Sequence, residues 1–229
     1  MGAVALLSSV LPASVVSAAR VHDDDAGPLH PREEPAVARA VATRRAEFTT
    51  ARSCAREALA SLGAPAEAVP VGEERAPVWP AGVVGSITHT RGFRGAAVAW
   101  RSVVRSVGID AEVHDALPDG VLEAVSSPGE RDVVERLSAE RPDVWWDRLL
   151  FSAKESVYKT WFPLTGRWLG FEDAELVPAQ DGTFVARLLV EGPTVDGAVV
   201  SSFEGRWAVA DGILATAIAL PAAAPSRHG

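Results

Sequence analysis

The chain has 229 residues, of which 48% are apolar and 23% charged, with a formal net charge of −8. Such a composition fits a globular protein with a real core, in one domain or two small ones, and the negative balance argues against a duplex-binding protein, which needs a basic footprint. The single cysteine, Cys54, excludes an intrachain disulfide and a cysteine-built zinc site; it reads as a small buried apolar residue in a reducing, cytoplasmic setting.

The opening MGAVALLSSVLPASVVSAAR has the hydropathy of a signal peptide. No Lys or Arg precedes its apolar run, however, and Pro12 interrupts it. Leu6 also stands where a myristoylation signal needs Ser or Thr. One or two short strands are expected here, and no other run is long enough to cross a bilayer. Residues 22–35, charged and carrying three prolines, predict a loop. A helix is expected from about Glu33 to Leu62, with Phe48, Ala51, Ala55, Leu59 and Leu62 as its apolar stripe and Gly63 with Pro65 as its stop.

A loop over 64–82 leads to three strand-like runs, GVVGSITHT, RGAAVAW and RSVGIDAE, whose spacing predicts an antiparallel meander. Ser127, Pro128 and Glu130 form an N-cap, first-position proline and capping-box set, so a helix starts there. A second helix is expected from about Val144 to Phe162. The strand-like runs FEDAELVP, TFVARLLV, GRWAVA and ILATAIAL follow, and PAAAPSRHG reads as a disordered tail. Helix-then-strands in each half points to an α+β architecture.

Four constellations bear chemistry. On the second helix, Trp146, Leu150, Ala153, Val157 and Trp161 share a core face, opposite Arg148, Ser152, Glu155 and Lys159. Glu155 and Lys159 have the spacing of a surface pair, contributing about 0.2–0.5 kcal/mol. Yet Phe151, Tyr158 and Phe162 beside them suit a cleft with an apolar wall. In VGIDAE, Asp110 and Glu112 point to one side of a strand. They are either a solvated strand end or, with Glu155, oxygen ligands for a hard cation such as Mg²⁺. Arg44, Arg45, Arg52 and Arg56 are either a salt-bridged helix flank with Glu47 and Glu57 or a phosphate clamp. GSITHT offers Ser86, Thr88 and His89 at a strand end. No P-loop, dinucleotide fingerprint, nucleophile elbow or zinc motif is present.

An arginine-bearing helix, a PVWP loop, GSITH, GIDAE and FSAKESVYK occur in that order. The set resembles the Sfp/EntD-type 4′-phosphopantetheinyl transferases, close to the mycobacterial PptT-like branch, and RWLGFEDAEL after the helix extends the likeness. It covers about Ala40 to Leu220. The resemblance implies two similar lobes related by a pseudo-twofold axis, residues 1–112 and 113–229, each a helix packed on a small, mostly antiparallel sheet, with the active site between them. It implies transfer of the 4′-phosphopantetheine arm of coenzyme A to a serine of an apo acyl or peptidyl carrier protein, releasing adenosine 3′,5′-bisphosphate. The implied cofactor is Mg²⁺, with Mn²⁺ able to stand in, and the implied form is a cytoplasmic monomer without nucleic-acid or membrane partners.

Residue by residue, the resemblance makes Asp110, Glu112 and Glu155 the metal acids, with water or the Ala111 carbonyl filling a further position. Glu155 is also the implied base, and Lys159 the lysine at the transferred phosphate. Arg44, Arg52 and His89 match positions that hold the nucleotide phosphates, with Thr88 beside them and Lys154 a further diphosphate contact. Tyr158, Trp168 and Leu169 would border the pantetheine arm. Two departures stand out: Glu73-Glu74-Arg75 replaces a loop lysine, a role for which Arg75 is the substitute, and Ala111 lies where some relatives have a further acid. A metal-dependent coenzyme A phosphohydrolase and a non-catalytic coenzyme A-binding protein are the rival readings.

Overall fold

The computed structural model describes residues 2–24 and 26–223. The opening segment is helical rather than the strands expected: a 3-10 turn at Ala3–Ala5 runs into α1 (Leu6–Val10), and β1 is confined to Val16–Arg20. Leu6, Leu7 and Val10 are all buried; their spacing is helical rather than alternating, and Pro12 ends the segment. The next helix starts later than expected, at Ala42 rather than about Glu33. A separate 3-10 turn, Glu34–Val37, holds Pro35, and α2 covers Ala42–Leu62. Gly63 stops α2 with a φ of 77°, a left-handed C-cap.

Strands β2 (Val83–Thr90), β3 (Phe93–Trp100) and β4 (Val104–Val113) form where the sequence places them, but they are not a meander. β3 uses one edge on β1 and the other on β2, so β4 has no edge left to join there. It pairs instead with β10 (Ile213–Pro221), giving an antiparallel sheet in the order β4-β10-β9-β6-β5. The other members are β5 (Ala174–Pro178), β6 (Thr183–Leu188) and β9 (Ser202–Ala210); β7 (Thr194–Val195) and β8 (Ala198–Val199) form a small separate ladder. Short α3 (Val121–Val125) precedes α4 (Pro128–Glu140), whose capping box is as the sequence predicts: Glu130 N–H donates to Ser127 Oγ at 3.2 Å and Ser127 N–H to Glu130 Oε2 at 2.8 Å. The long α5 spans Trp146–Thr165, one turn beyond its expected end, with Pro163 inside it.

Three apolar clusters hold this α+β arrangement. Trp146, Leu150, Ala153, Val157 and Trp161 on α5 meet Phe184, Phe203 and Leu214 of the five-stranded sheet. On α2, Ala55 and Leu59 meet Ala96 and Val98 of the three-stranded sheet. Leu6 and Leu7 of α1 fill the space between the sheets, against Phe93 and Ile109. Each such fully buried large side chain contributes about 1.5–3 kcal/mol.

Where the sheets meet, β2 and β4 are joined by side chains: Ile109 N–H donates to Ser86 Oγ at 3.1 Å and Ala111 N–H to Thr88 Oγ1 at 2.9 Å. On the other side, α5 lies so close to β4 that a Cβ at Gly108 would sit 2.1 Å from Ser156 O and 2.3 Å from Thr160 Oγ1. Only glycine fits that approach, which brings α5 down onto the GIDAE strand. Residues 224–229, most of the tail read as disordered, lie outside the described residues. No helix among the described residues is long and apolar enough to cross a membrane.

Candidate active site

A cleft of about 1530 Å³ lies between α2 and the 71–82 loop on one side and β4 and α5 on the other. Side chains of β4 alternate, so Gly108, Asp110 and Glu112 all face α5. Asp110 is buried and accepts from three side chains: Lys159 Nζ at 2.7 Å and Thr88 Oγ1 at 3.3 Å on Oδ1, and Ser152 Oγ at 2.8 Å on Oδ2. Glu112 pairs with Arg148 at 3.3 Å. The stripe opposite the core face of α5 therefore touches β4 and the cleft instead of water. Lys159 bonds Asp110, not Glu155. Phe151, Tyr158 and Phe162 line the cleft beside Glu155, as an apolar wall should.

The acids influence one another. Glu112 is pushed up to about 7, by burial first and by the Asp110 charge next, while Arg148 and Lys159 pull it down. Burial also raises the Glu155 carboxyl, with Lys159 opposing and Asp110 adding. Carboxylates raised by burial and negative neighbours gain from a shared cation. In donor chemistry the set suits a hard divalent ion. In geometry it is not a finished cage: among the described residues no three carboxylate, imidazole or thiol groups are gathered closely enough to hold a metal ion as they stand. Because N–H and C=O of one strand residue share a side, the Ala111 carbonyl is turned with its N–H toward β2 and Thr88.

The opposite wall is cationic. Arg44 hydrogen-bonds His89 Nε2, and both line the cleft. Loss of hydration and then the Arg44 charge lower the His89 imidazole. Arg52 is 5% exposed, lies with its guanidinium 4.3 Å from the Phe48 ring centre, and has no hydrogen-bond partner for Nε among the described residues. Burial, with Arg56 and Arg44 adding, lowers it to about 10 against a pull from Glu33, so it stays charged at neutral pH. Arg56 is spent elsewhere, 2.6 Å from buried Glu33, and Arg45 is exposed. Arg75 is exposed at the cleft lip on a 3-10 turn, Glu73–Arg75; it and Glu74 have left-handed backbone, φ 63° and 44°.

A smaller cavity of about 320 Å³ adjoins the cleft, sharing Glu155 and Tyr158 and adding Lys154, Trp168, Leu169 and Phe171. Trp168 is 72% exposed, and its ring centre is 5.0 Å from that of Tyr158. Lys154, expected at the diphosphate, does not line the large cleft. Its Nζ donates to Glu130 Oε2 at 2.9 Å and to Phe171 O at 2.7 Å. Sequence reasoning missed Ser152 and Arg148 as partners of the acids. A helical wheel gives their angle to the core face, but not that a strand covers that angle.

Two family models match this chain. One, described as the 4′-phosphopantetheinyl transferase N-terminal domain, covers residues 32–99; the other, the 4′-phosphopantetheinyl transferase superfamily, covers 106–210. The chain belongs to the 4′-phosphopantetheinyl transferase superfamily. This transferase is 57% identical over 203 residues to 4′-phosphopantetheinyl transferase Svp of Streptomyces mobaraensis, spanning 88% of this chain and 82% of that one. It is 50% identical over 225 residues to 4′-phosphopantetheinyl transferase PptT of Mycobacterium tuberculosis, spanning 94% and 98%. Against 4′-phosphopantetheinyl transferase Npt of Nocardia iowensis the identity is 49% over 223 residues, spanning 93% and 99%. The transferase moves the 4′-phosphopantetheine arm of coenzyme A to carrier proteins; neither a phosphohydrolase nor a non-catalytic binding protein is favoured.

Proposed function

We propose that the transfer runs in the cleft between α2 and α5, with a carrier serine as nucleophile and adenosine 3′,5′-bisphosphate as leaving group. One observation carries this reading: Asp110 and Glu112 of β4 face Glu155 and Lys159 of α5 across from a wall bearing Arg44, Arg52 and His89. Arg44, Arg52 and His89, with Thr88 beside them and Arg75 at the lip, hold the nucleotide phosphates. A buried guanidinium whose Nε lacks a partner among the described residues gains most from an anionic ligand. Tyr158, Trp168 and Leu169 border the arm in the smaller cavity.

The serine hydroxyl is a weak nucleophile at neutral pH and needs a group to take its proton as it attacks phosphorus. Glu155 takes it, directly or through one water; a carboxylate beside the divalent ion stays ionised near neutrality and so is free to accept a proton. Lys159 lies where it can neutralise charge growing on the departing phosphate. Asp110, Glu112 and Glu155, with the Ala111 carbonyl, would hold the divalent ion, Mg²⁺ or Mn²⁺, which supplies charge neutralisation at the diphosphate. Phosphoryl transfer depends chiefly on such positioning and electrostatics. One chain supplies both walls, which supports a monomer; the one thiol, Cys54, is buried and free, which supports a reducing cytoplasm.

Intact-mass measurement of a panel of apo acyl and peptidyl carriers, incubated with coenzyme A with and without Mg²⁺, tests the reading. The expected result is a carrier heavier by one phosphopantetheine arm only when the metal is present. Nucleotide release without any carrier, or modification undiminished by a chelator, would sink it.

A further inference from the structure

We propose that Lys154 is a positioning residue that fixes the wall of the pantetheine slot, an inference resting on the reading of that slot given above. Of the 22 basic residues in the chain, only Lys154 and Lys159 are lysines. Both lie on α5, and both contact a carboxylate. Lys159 faces the cleft, whereas Lys154 and Glu130 are 5% and 3% exposed. A chain that uses arginine at every other basic position keeps lysine where a compact charge with three rotatable donors is required; the broad guanidinium fork needs more room.

The contacts say what this charge does. Glu130 Oε2 accepts from Ser127 N–H at 2.8 Å and from Lys154 Nζ, and Oε1 accepts from Leu176 N–H at 2.8 Å. One carboxylate thus ties together the start of α4, strand β5 and helix α5. Lys154 extends the tie to the carbonyl of Phe171, the first residue of a 3-10 turn, Phe171–Asp173, that follows Trp168–Gly170 directly. Residues 168–171 are one wall of the smaller cavity, and Glu155 with Tyr158 the other. Phe171 also packs against Phe151 of the large cleft, ring centres 6.1 Å apart.

Taking two opposite charges out of water carries a penalty that their attraction must first repay, so a pair this deep is poor evidence of stabilisation. Its connectivity points to geometry instead. Lys154 sets the distance between the helix that carries the base and the loop that carries Trp168, and so the width of the slot that receives the arm.

The test separates arm from diphosphate. Lys154→Met and Glu130→Gln are titrated, without turnover, with coenzyme A and with 3′-phosphoadenosine 5′-diphosphate, which carries both 5′-phosphates but no arm; Trp168→Ala is the control for the slot itself. Both buried variants are expected to lose coenzyme A affinity by roughly tenfold, the scale on which supporting residues act. Their affinity for the nucleotide should stay that of the parent, and in turnover KM for coenzyme A should rise more than kcat falls. Equal losses for the two ligands in Lys154→Met would make Lys154 a direct diphosphate contact and overturn the inference. If Trp168→Ala loses arm-dependent affinity while Lys154→Met and Glu130→Gln do not, the positioning role falls and the slot stands; if none of the three loses it, both fall. Should Lys154→Met fail to fold, Glu130→Gln carries the same comparison.

Discussion

Replacing Arg52 with methionine should strengthen the free protein and weaken its hold on coenzyme A. Burial lowers the Arg52 guanidinium well below its ordinary value, to about 10. At about 1.4 kcal/mol for each tenfold change in proton affinity, that is a destabilising contribution of about 3 kcal/mol. The sign follows from a base held below its unfolded value: the penalty is complete at any pH under about 10 and fades only as pH climbs above that toward the unfolded value, so all of it acts at pH 7. Against it stands the contact with Phe48, a cation–π attraction of roughly 1–2 kcal/mol for a desolvated pair. Methionine keeps most of the packing and none of the charge, leaving a net gain of about 1–2 kcal/mol, or a rise of several degrees in Tm for a protein of this size. Binding moves the other way. Loss of one charge-assisted hydrogen bond, about 1.5–3 kcal/mol, should weaken coenzyme A by tenfold to a hundredfold, on the order of what the bond is worth. With Arg52 assigned to the 3′-phosphate among the nucleotide phosphates, dephospho-coenzyme A, which lacks that group, should be nearly unaffected. Thermal melts and calorimetric titrations of both ligands measure this. A lower Tm for the free variant, or equal losses for the two ligands, would refute the reasoning.

Glu155→Gln should abolish carrier modification while coenzyme A still binds, because the proton acceptor is lost and the arginine wall remains; normal turnover would remove Glu155 from its role. Gly108→Ala forces a methyl to within 2.1 Å of Ser156 O, so urea unfolding should show a loss of more than about 3 kcal/mol by overpacking; a loss below 1 kcal/mol would mean α5 is not seated as described. Glu112 sits at about 7, so its stabilising share is complete below about 4.5 and disappears as pH rises through 7, when the ionised carboxyl is left among other acids. Added Mg²⁺ should therefore raise Tm more at pH 8 than at pH 5, and an equal rise at both would argue against the acids as its site.

Local signals were the ones legible in the amino-acid order. Helical period names the buried face of α5, residue by residue, and Ser127 with Glu130 announces the capping box of α4. Pairing partners are another matter. Alternation along RSVGIDAE shows that Asp110 and Glu112 share a side, but β4's choice of β10 over β3 depends on β1 having already taken the free edge of β3, some eighty residues earlier in the chain. Ser152 falls on the face opposite the core, and only the descent of α5 onto Gly108 turns that face into contact with Asp110. Glu130 is visible as a cap; that its carboxylate also reaches Lys154 and Leu176 depends on packing among α4, α5 and β5. The aromatic strip of Phe151, Tyr158 and Phe162 was the one local hint that this face was not simply wet.

The seam between β2 and β4 places the phosphate-holding donors on one piece of the chain and the acids on another. An exposed turn, residues 101–103, separates β3 from β4. Severing the chain there would yield two fragments, each keeping a long helix and most of a sheet, and neither with a reaction centre. Turnover would return only when Thr88 and Asp110 came back within reach of each other, which makes a bisected form of this transferase a built-in reporter of fragment reunion.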